Sequence, residues 1–290
     1  MLLRKLREML GLAEKRSCYT LCLYPTRPDL VDLKDILGRL LNWTQASGIA
    51  APTWMEIDAK GVSGRNLRFD TAYKKVTHLE GGHINELWLN CALPGVDDRF
   101  VGWNWAACLS REDGISIFFD TTLDKLALGM MRDLATELIQ GTEIHYGFAT
   151  TIPFYYGPYF WVSGMLFESQ DGVLPEREGQ RVSKWSHARI EAKKLGITLA
   201  RDYFRDIYEI NFVTSAHLKL PVEGMTLAGW IETSSKYGQI SLMKEDLYCW
   251  CVPNASLRKT RKTLGRALHL VCYGGYGVRS GGPYGHTYPY

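Results

Sequence analysis

Apolar positions recur along the chain with two periods, and the switches between them mark out the elements. Leu2, Leu3, Leu6, Met9, Leu10 and Ala13 fall at helical spacing among Arg4, Lys5, Arg7 and Lys15, which predicts a short amphipathic helix. Residues 19–24 form a compact apolar run ended by Pro25 and Pro28, which predicts a buried strand. Leu33, Ile36, Leu37, Leu40 and Leu41 return to helical spacing within 30–43, with Asp29 placed as an N-cap. A strand at 53–58 follows, then a Gly/Arg/Asn-rich stretch at 60–68 that reads as an exposed loop. After a strand at 86–91, Pro94-Gly95 opens a turn that carries Asp97 and Asp98. Val101, Trp103, Trp105, Ala107 and Leu109 then alternate with smaller or polar residues, the period of a half-buried antiparallel strand. Asp113-Gly114 is a hairpin signal, and 115–119 returns as the partner strand.

Further on, Leu126, Met130, Met131, Leu134 and Leu138 share one stripe of a predicted helix over 123–139, with Thr121 or Thr122 near its start and Gly141 as its stop. A strand at 145–152 leads into residues 154–161, where six of eight positions are aromatic. Residues 168–182 are polar with Gly and Pro, a surface loop and the best place for a subdomain linker. Helices are expected at 183–194, 199–208 and 226–233, a hairpin at 239–243 and 247–252, a basic helix at 256–267 and a last strand at 268–272. The Gly/Tyr-rich stretch 274–290 reads as a flexible tail. Helices and strands are intermixed without a βαβ rhythm or a fixed repeat. The expected architecture is therefore α+β: one domain over 1–290, mainly antiparallel sheet with packed helices, which admits subdivision near 168–182 into two related subdomains.

Composition agrees with a folded chain, since 46% of 290 residues are hydrophobic and 22% charged. Charge is more informative once divided. The total is +3, but residues 1–16 carry +3 and 254–290 carry +6, which leaves 17–253 at −6. An acidic body thus lies between basic ends and would repel phosphates, which makes nucleic acid an unlikely partner for it. No apolar run reaches the roughly 18 residues of a spanning helix, so no membrane partner is expected, and the first 16 residues lack the apolar core of a secretion signal. Seven cysteines, most of them in apolar strand-like segments, suit the reducing cytoplasm.

Chemistry-bearing motifs are few. Cys18/Cys22 and Cys249/Cys251 lack the turn-borne spacing of zinc ligands, and the seven histidines are scattered, so neither a metal nor a cofactor is expected. Val162-Ser163-Gly164 lacks the first glycine of a nucleophile elbow, and Gly274-Gly275-Tyr276-Gly277 lacks the spacing of a phosphate cradle. No catalytic residue is assigned. The aromatic run is different, because so many rings cannot all point inward, and tyrosine gives large contact area at small entropic cost. Tyr155, Tyr156 and Tyr159 are accordingly candidates for the centre of a protein interface, with Asp97, Asp98, Glu112 and Asp113 in turns as an acidic rim.

A set of local sequences adds a resemblance. Gly141 leading into His145-Tyr146-Gly147-Phe148-Ala149, then Arg205-Asp206-Ile207-Tyr208-Glu209-Ile210-Asn211-Phe212, Ala216-His217-Leu218 and Leu227-Ala228-Gly229-Trp230-Ile231, resembles bacterial immunity proteins over residues 17–272. The nearest named group is the immunity protein 52 family, encoded beside restriction-endonuclease-fold DNase toxins of polymorphic and type VI secretion systems. The resemblance implies a non-enzymatic cytoplasmic inhibitor that binds a cognate toxin effector, a nuclease, and protects producer and sibling cells. A homodimer is also compatible with it. Two other classes stay open from the residues alone: a hydrolase-like enzyme with a spatially assembled site, and a nucleic-acid-associated protein using the basic helix.

Overall fold

The computed structural model describes residues 16–93, 102–124, 126–166, 174–195, 200–201, 203–267 and 270–272. The expected first helix, the turn holding Asp97 and Asp98, and the tail lie outside them. The chain divides into two compact units, one of Met1–Ile144 and Ala149–Leu174, the other of His145–Phe148 and Pro175–Tyr290.

In the first unit, β1 (Ser17–Pro25), β2 (Trp54–Ala59), β3 (Val62–Arg68), β4 (Ile84–Ala92), β5 (Trp103–Ser110) and β6 (Gly114–Asp120) pair in the order β1-β6-β5-β4-β2-β3. Each of these pairings is antiparallel. The register sets Leu21, Ile117, Ala107, Leu89 and Met55 in one row across five strands, and all five are buried. Helices α1 (Leu33–Ala46) and α3 (Met130–Leu138) pack on this apolar face, and α2 (Phe69–Thr77) lies against β2 and β3. Helix α1 turns Leu33, Ile36, Leu37 and Leu40 inward, as its spacing requires.

Three expectations change here. The cap of α1 is Asp32, whose carboxylate accepts the N–H groups of Lys34 and Asp35, whereas Asp29 pairs with Arg27. The stretch 60–68 is strand β3, which follows a turn at Gly61 (φ 75°); as the outermost strand of this unit's sheet it needs no apolar alternation. Helix α3 begins at Met130 because the Asp120 carboxylate takes the backbone N–H and hydroxyl of Thr122, so that polar signal ends β6 and starts no helix.

Strand β7 (Ile144–Pro153) gives residues to both units. In the second unit it neighbours β8 (Ile210–Thr214), followed by β12 (Leu247–Cys251) and β11 (Gln239–Lys244), with the two-residue strands β9 (Pro221–Val222) and β10 (Met225–Thr226) apart. The helices are α5 (Glu176–Leu195), α6 (Ser215–Leu218), α7 (Leu227–Glu232) and α8 (Asn254–Arg266). Residues 176–182 are thus helical where a loop was expected. Of the predicted helix at 199–208, the described residues 200–201 and 203–208 are not helical; Phe204 makes an isolated parallel bridge with Leu270, and Val271 and Cys272 of the predicted strand at 268–272 are in a turn.

Side-chain polar bonds hold that irregular segment. Arg205 N–H donates to the Tyr146 hydroxyl at 3.1 Å, and the Asn211 amide reaches the Tyr208 carbonyl at 2.7 Å. Asp206, 3% exposed, accepts from the Ile207 N–H and pairs with Arg261 at 3.2 Å and Arg181 at 3.8 Å. Burial raises its carboxyl above the usual range against the opposing pull of Arg261 and Arg181. His217, fully buried, bridges the Thr214 hydroxyl and N–H through Nδ1 and the Ala200 carbonyl, at 2.9 Å, through Nε2. Accepting at Nδ1 and donating at Nε2 assigns the neutral ring.

Candidate partner-binding face

The other face of the first unit's sheet is polar at one end. Its register aligns Glu56, Trp88, Cys108, Ser116 and Cys22 in one row, and Asp58, Glu86, Ser110 and Gly114 in the next. Alternation explains this, since the even residues of β2 and β4 point away from the apolar row that packs on α1. Cys22 and Ser116 bond to each other at 3.2 Å. Over the row lies α4 (Pro158–Ser163), which the left-handed Gly157 (φ 62°) redirects from the aromatic turn Phe154–Tyr156. Tyr159 sets its ring edge-on to Trp88, with centroids 4.6 Å apart, and its hydroxyl bonds to the Cys108 thiol.

Acidic groups surround this aromatic pair. Asp58 lies directly across from Glu86, an arrangement of like charges that weakens a sheet. The Glu86 carboxyl is held above its usual range first by burial, then by Asp113, and further by Asp58 and Glu56, against a bond from Ser110 that lowers it. Arg111, next to Glu112 in the chain, spends its guanidinium on the carbonyls of Ile84, Asp29 and Gly81. At the edge, Trp54 is 38% exposed with Arg68 over its ring. A half-buried Trp/Tyr pair amid carboxylates can bury aromatic area against a partner while drawing in a basic surface.

The candidates from sequence fall unevenly on this face. Tyr159 and Asp113 belong to it, and Glu112 is exposed in the same β5–β6 turn. Tyr155 and Tyr156 are half-buried in the aromatic turn, edge-to-face with each other at 4.9 Å. Inward from them, Phe154 packs on Trp103 at 4.6 Å with Arg16 over its ring at 4.0 Å. Asp97 and Asp98 lie outside the described residues. Sequence reasoning missed Glu56, Asp58, Glu86 and Trp88. Their alternation within β2 and β4 is visible in the chain, but their adjacency depends on the pairing of distant strands.

Other chemistry in the molecule is engaged structurally. Burial pushes the Cys18 and Cys272 thiols up to about 12 and that of Cys108 well above its ordinary value, so these three stay protonated at neutral pH. Among the described residues no His/Cys/Asp/Glu group is placed to hold a metal, and no helix is long and apolar enough to cross a membrane. A shallow groove in the first unit is lined by Asp32, Lys34, Asp35, Arg39, Tyr73 and Glu80. Lys34 there donates to the Thr77 carbonyl, Arg39 pairs with Asp35, and Asp32 caps α1.

No protein-family model matches the chain, and no curated protein matches it. Among solved structures, the fold is similar to that of the Pseudomonas aeruginosa T6SS protein PA0821, with a TM-score of 0.53 over 94% of this chain and 84% of that one. Sequence identity is 12%, so the likeness is one of fold. The resemblance to the immunity protein 52 family has no family-level match behind it.

Proposed function

We propose that the protein is an immunity protein of a type VI secretion system, which binds a cognate toxin effector, a nuclease, and keeps it inactive in the cytoplasm of producer and sibling cells. The observation that carries this reading is the acidic, aromatic-centred sheet face of the first unit. Asp58 opposite Glu86, reinforced by Glu56 and Asp113, costs the isolated protein stability, and such a local conflict is best accounted for by a complementary basic partner. A nuclease carries a basic surface where it meets phosphates. The fold shared with PA0821, named as a T6SS protein, supports the setting. Trp88 and Tyr159 are the desolvated centre in this proposal, and Glu56, Asp58, Glu86, Glu112 and Asp113 the rim. Inhibition is stoichiometric and needs no catalytic residue, metal or cofactor.

The test is co-expression with the product of the adjacent gene, read by co-purification and by survival of the host. Complex formation and rescue are expected. Neutralising Glu56, Asp58, Glu86 and Asp113 together is expected to slow association at least about tenfold at low salt, with the difference shrinking at high salt. Failure of both co-purification and rescue overturns the proposal.

A further inference from the structure

We propose that the exposed face of α8, continued by Lys236, binds the phosphodiester backbone of nucleic acid. Helix α8 buries Leu257, Thr260 and Leu264 and leaves Arg258, Lys259, Lys262 and Arg266 exposed. Arg258, Lys262 and Arg266 stand on successive turns of one face, about 6 Å apart along the axis. The helix contains no Asp or Glu, and among the described residues none of its four exposed cations forms an ion pair. Some exposed cations elsewhere are paired, as in Arg27–Asp29, Arg132–Asp133 and Lys194–Glu191, whereas α8 gathers four that are not. Like charges at i,i+4 repel, so the bare helix carries a penalty that a polyanion removes.

The ammonium of Lys259 is positioned. It sits 5.3 Å from the Tyr237 ring centroid, and that ring is stacked on the buried Trp230 at 3.8 Å. Lys236, exposed beside Tyr237, extends the stripe. The exposed face of α8 presents no large apolar side chain, only Asn254 and Ala255 beside the cations. A protein partner wants an apolar centre, whereas a phosphate backbone needs only placed charge. The charge is also segregated by unit: the second holds 17 Lys and Arg against 10 Asp and Glu, and the first 17 against 21.

The experiment is fluorescence anisotropy of a labelled duplex DNA oligonucleotide with the full chain, from 50 to 200 mM salt. Neutralising four phosphates gives a slope of log affinity on log salt of about −3.6, a loss of about 100-fold or more across that range. The variant Arg258→Gln, Lys262→Gln, Arg266→Gln is expected to weaken binding at least tenfold at 50 mM and to flatten the slope by about 2.7. Lys262→Gln alone, a single exposed change that cannot disturb the fold, flattens it by about 0.9. Lys60→Gln, Lys74→Gln, Lys75→Gln in the first unit makes the same change in net charge and is expected to leave binding unchanged. Three results overturn the proposal: no binding at 50 mM salt, equal loss in both triple variants, or competition by polyglutamate as strong as by unlabelled DNA, which would assign the stripe to acidic protein. None of these arms involves a toxin, so the outcome is separable from the immunity reading.

Discussion

Replacing His217 with phenylalanine isolates the hydrogen bonds of a buried ring from its packing. In the native protein the ring lies 5.8 Å from Tyr146 and 5.1 Å from Phe204, centroid to centroid, so a ring of similar size keeps those contacts. What is lost is the acceptor for the Thr214 N–H and the donor to the Ala200 carbonyl. Each buried polar group left without a partner costs about 1–3 kcal/mol, and the Thr214 N–H, being part-buried, falls at about 1, so the pair predicts a loss of about 2–4 kcal/mol. His217→Ala adds a cavity and brings the total to about 4–6 kcal/mol. For a unit of this size about 4 °C of melting temperature goes with each kcal/mol, so His217→Phe is expected to melt about 8–16 °C lower. Urea titration followed by tryptophan fluorescence gives the free energy, and hydrogen exchange at 200–205 and 214 locates the loosening. If His217→Phe stays within about 0.5 kcal/mol of wild type while His217→Ala loses 2 or more, ring packing carries the site and the hydrogen-bond argument is wrong.

Glu86→Gln tests the acidic face without any partner. Its carboxyl is raised in the fold, so wild-type stability from this group is fully present below the unfolded carboxyl pKa and is lost as pH rises through the folded one. The variant is therefore expected to be more stable than wild type at pH 7 and to show a flatter stability profile on acidification; thermal melts across that range decide it. Trp88→Ala should cost only about 1–2 kcal/mol in stability, since the ring is half-buried, but weaken toxin binding about 100-fold if it is the interface centre, by titration calorimetry. At Gly238 (φ 101°) an added Cβ would collide with the Cys251 carbonyl oxygen, so Gly238→Ala is expected to cost at least about 2–3 kcal/mol and to expose the β11–β12 amides to exchange.

Periodicity predicted most of the strands because burial writes itself into them: β1, β5 and β6 are apolar or alternate, and Asp113-Gly114 marks their hairpin. It failed where burial is not what decides. Strand β3 is polar because an edge tolerates it, and the segment around Phe204 has helical spacing yet is held irregular by Tyr146, Asn211 and His217 from distant parts of the chain. The sequences that suggested immunity proteins turn out to supply this knot: Arg205, Asp206, Tyr208, Asn211, His217 and Trp230 are all buried. They speak for the fold and are silent on the partner. On the candidate face, Tyr159, Glu112 and Asp113 could be read from a ring-rich run and an acidic turn. Glu56, Asp58, Glu86 and Trp88 come together only through the pairings of β2 with β4 and β4 with β5.

Strand β11 ends the strand order of the second unit, and along it Leu242 is 62% exposed. Such an edge is a template on which another chain can add a strand and begin a fibril. Here the register slips between Leu242 and Lys244, and Glu245, in the left-handed region (φ 42°), turns the chain away. An incoming strand could match Gln239 to Ser241 and would then lose its ladder, with Lys244 facing it. Straightening that bulge, more than loosening any core contact, is the change that would turn this protein toward filaments.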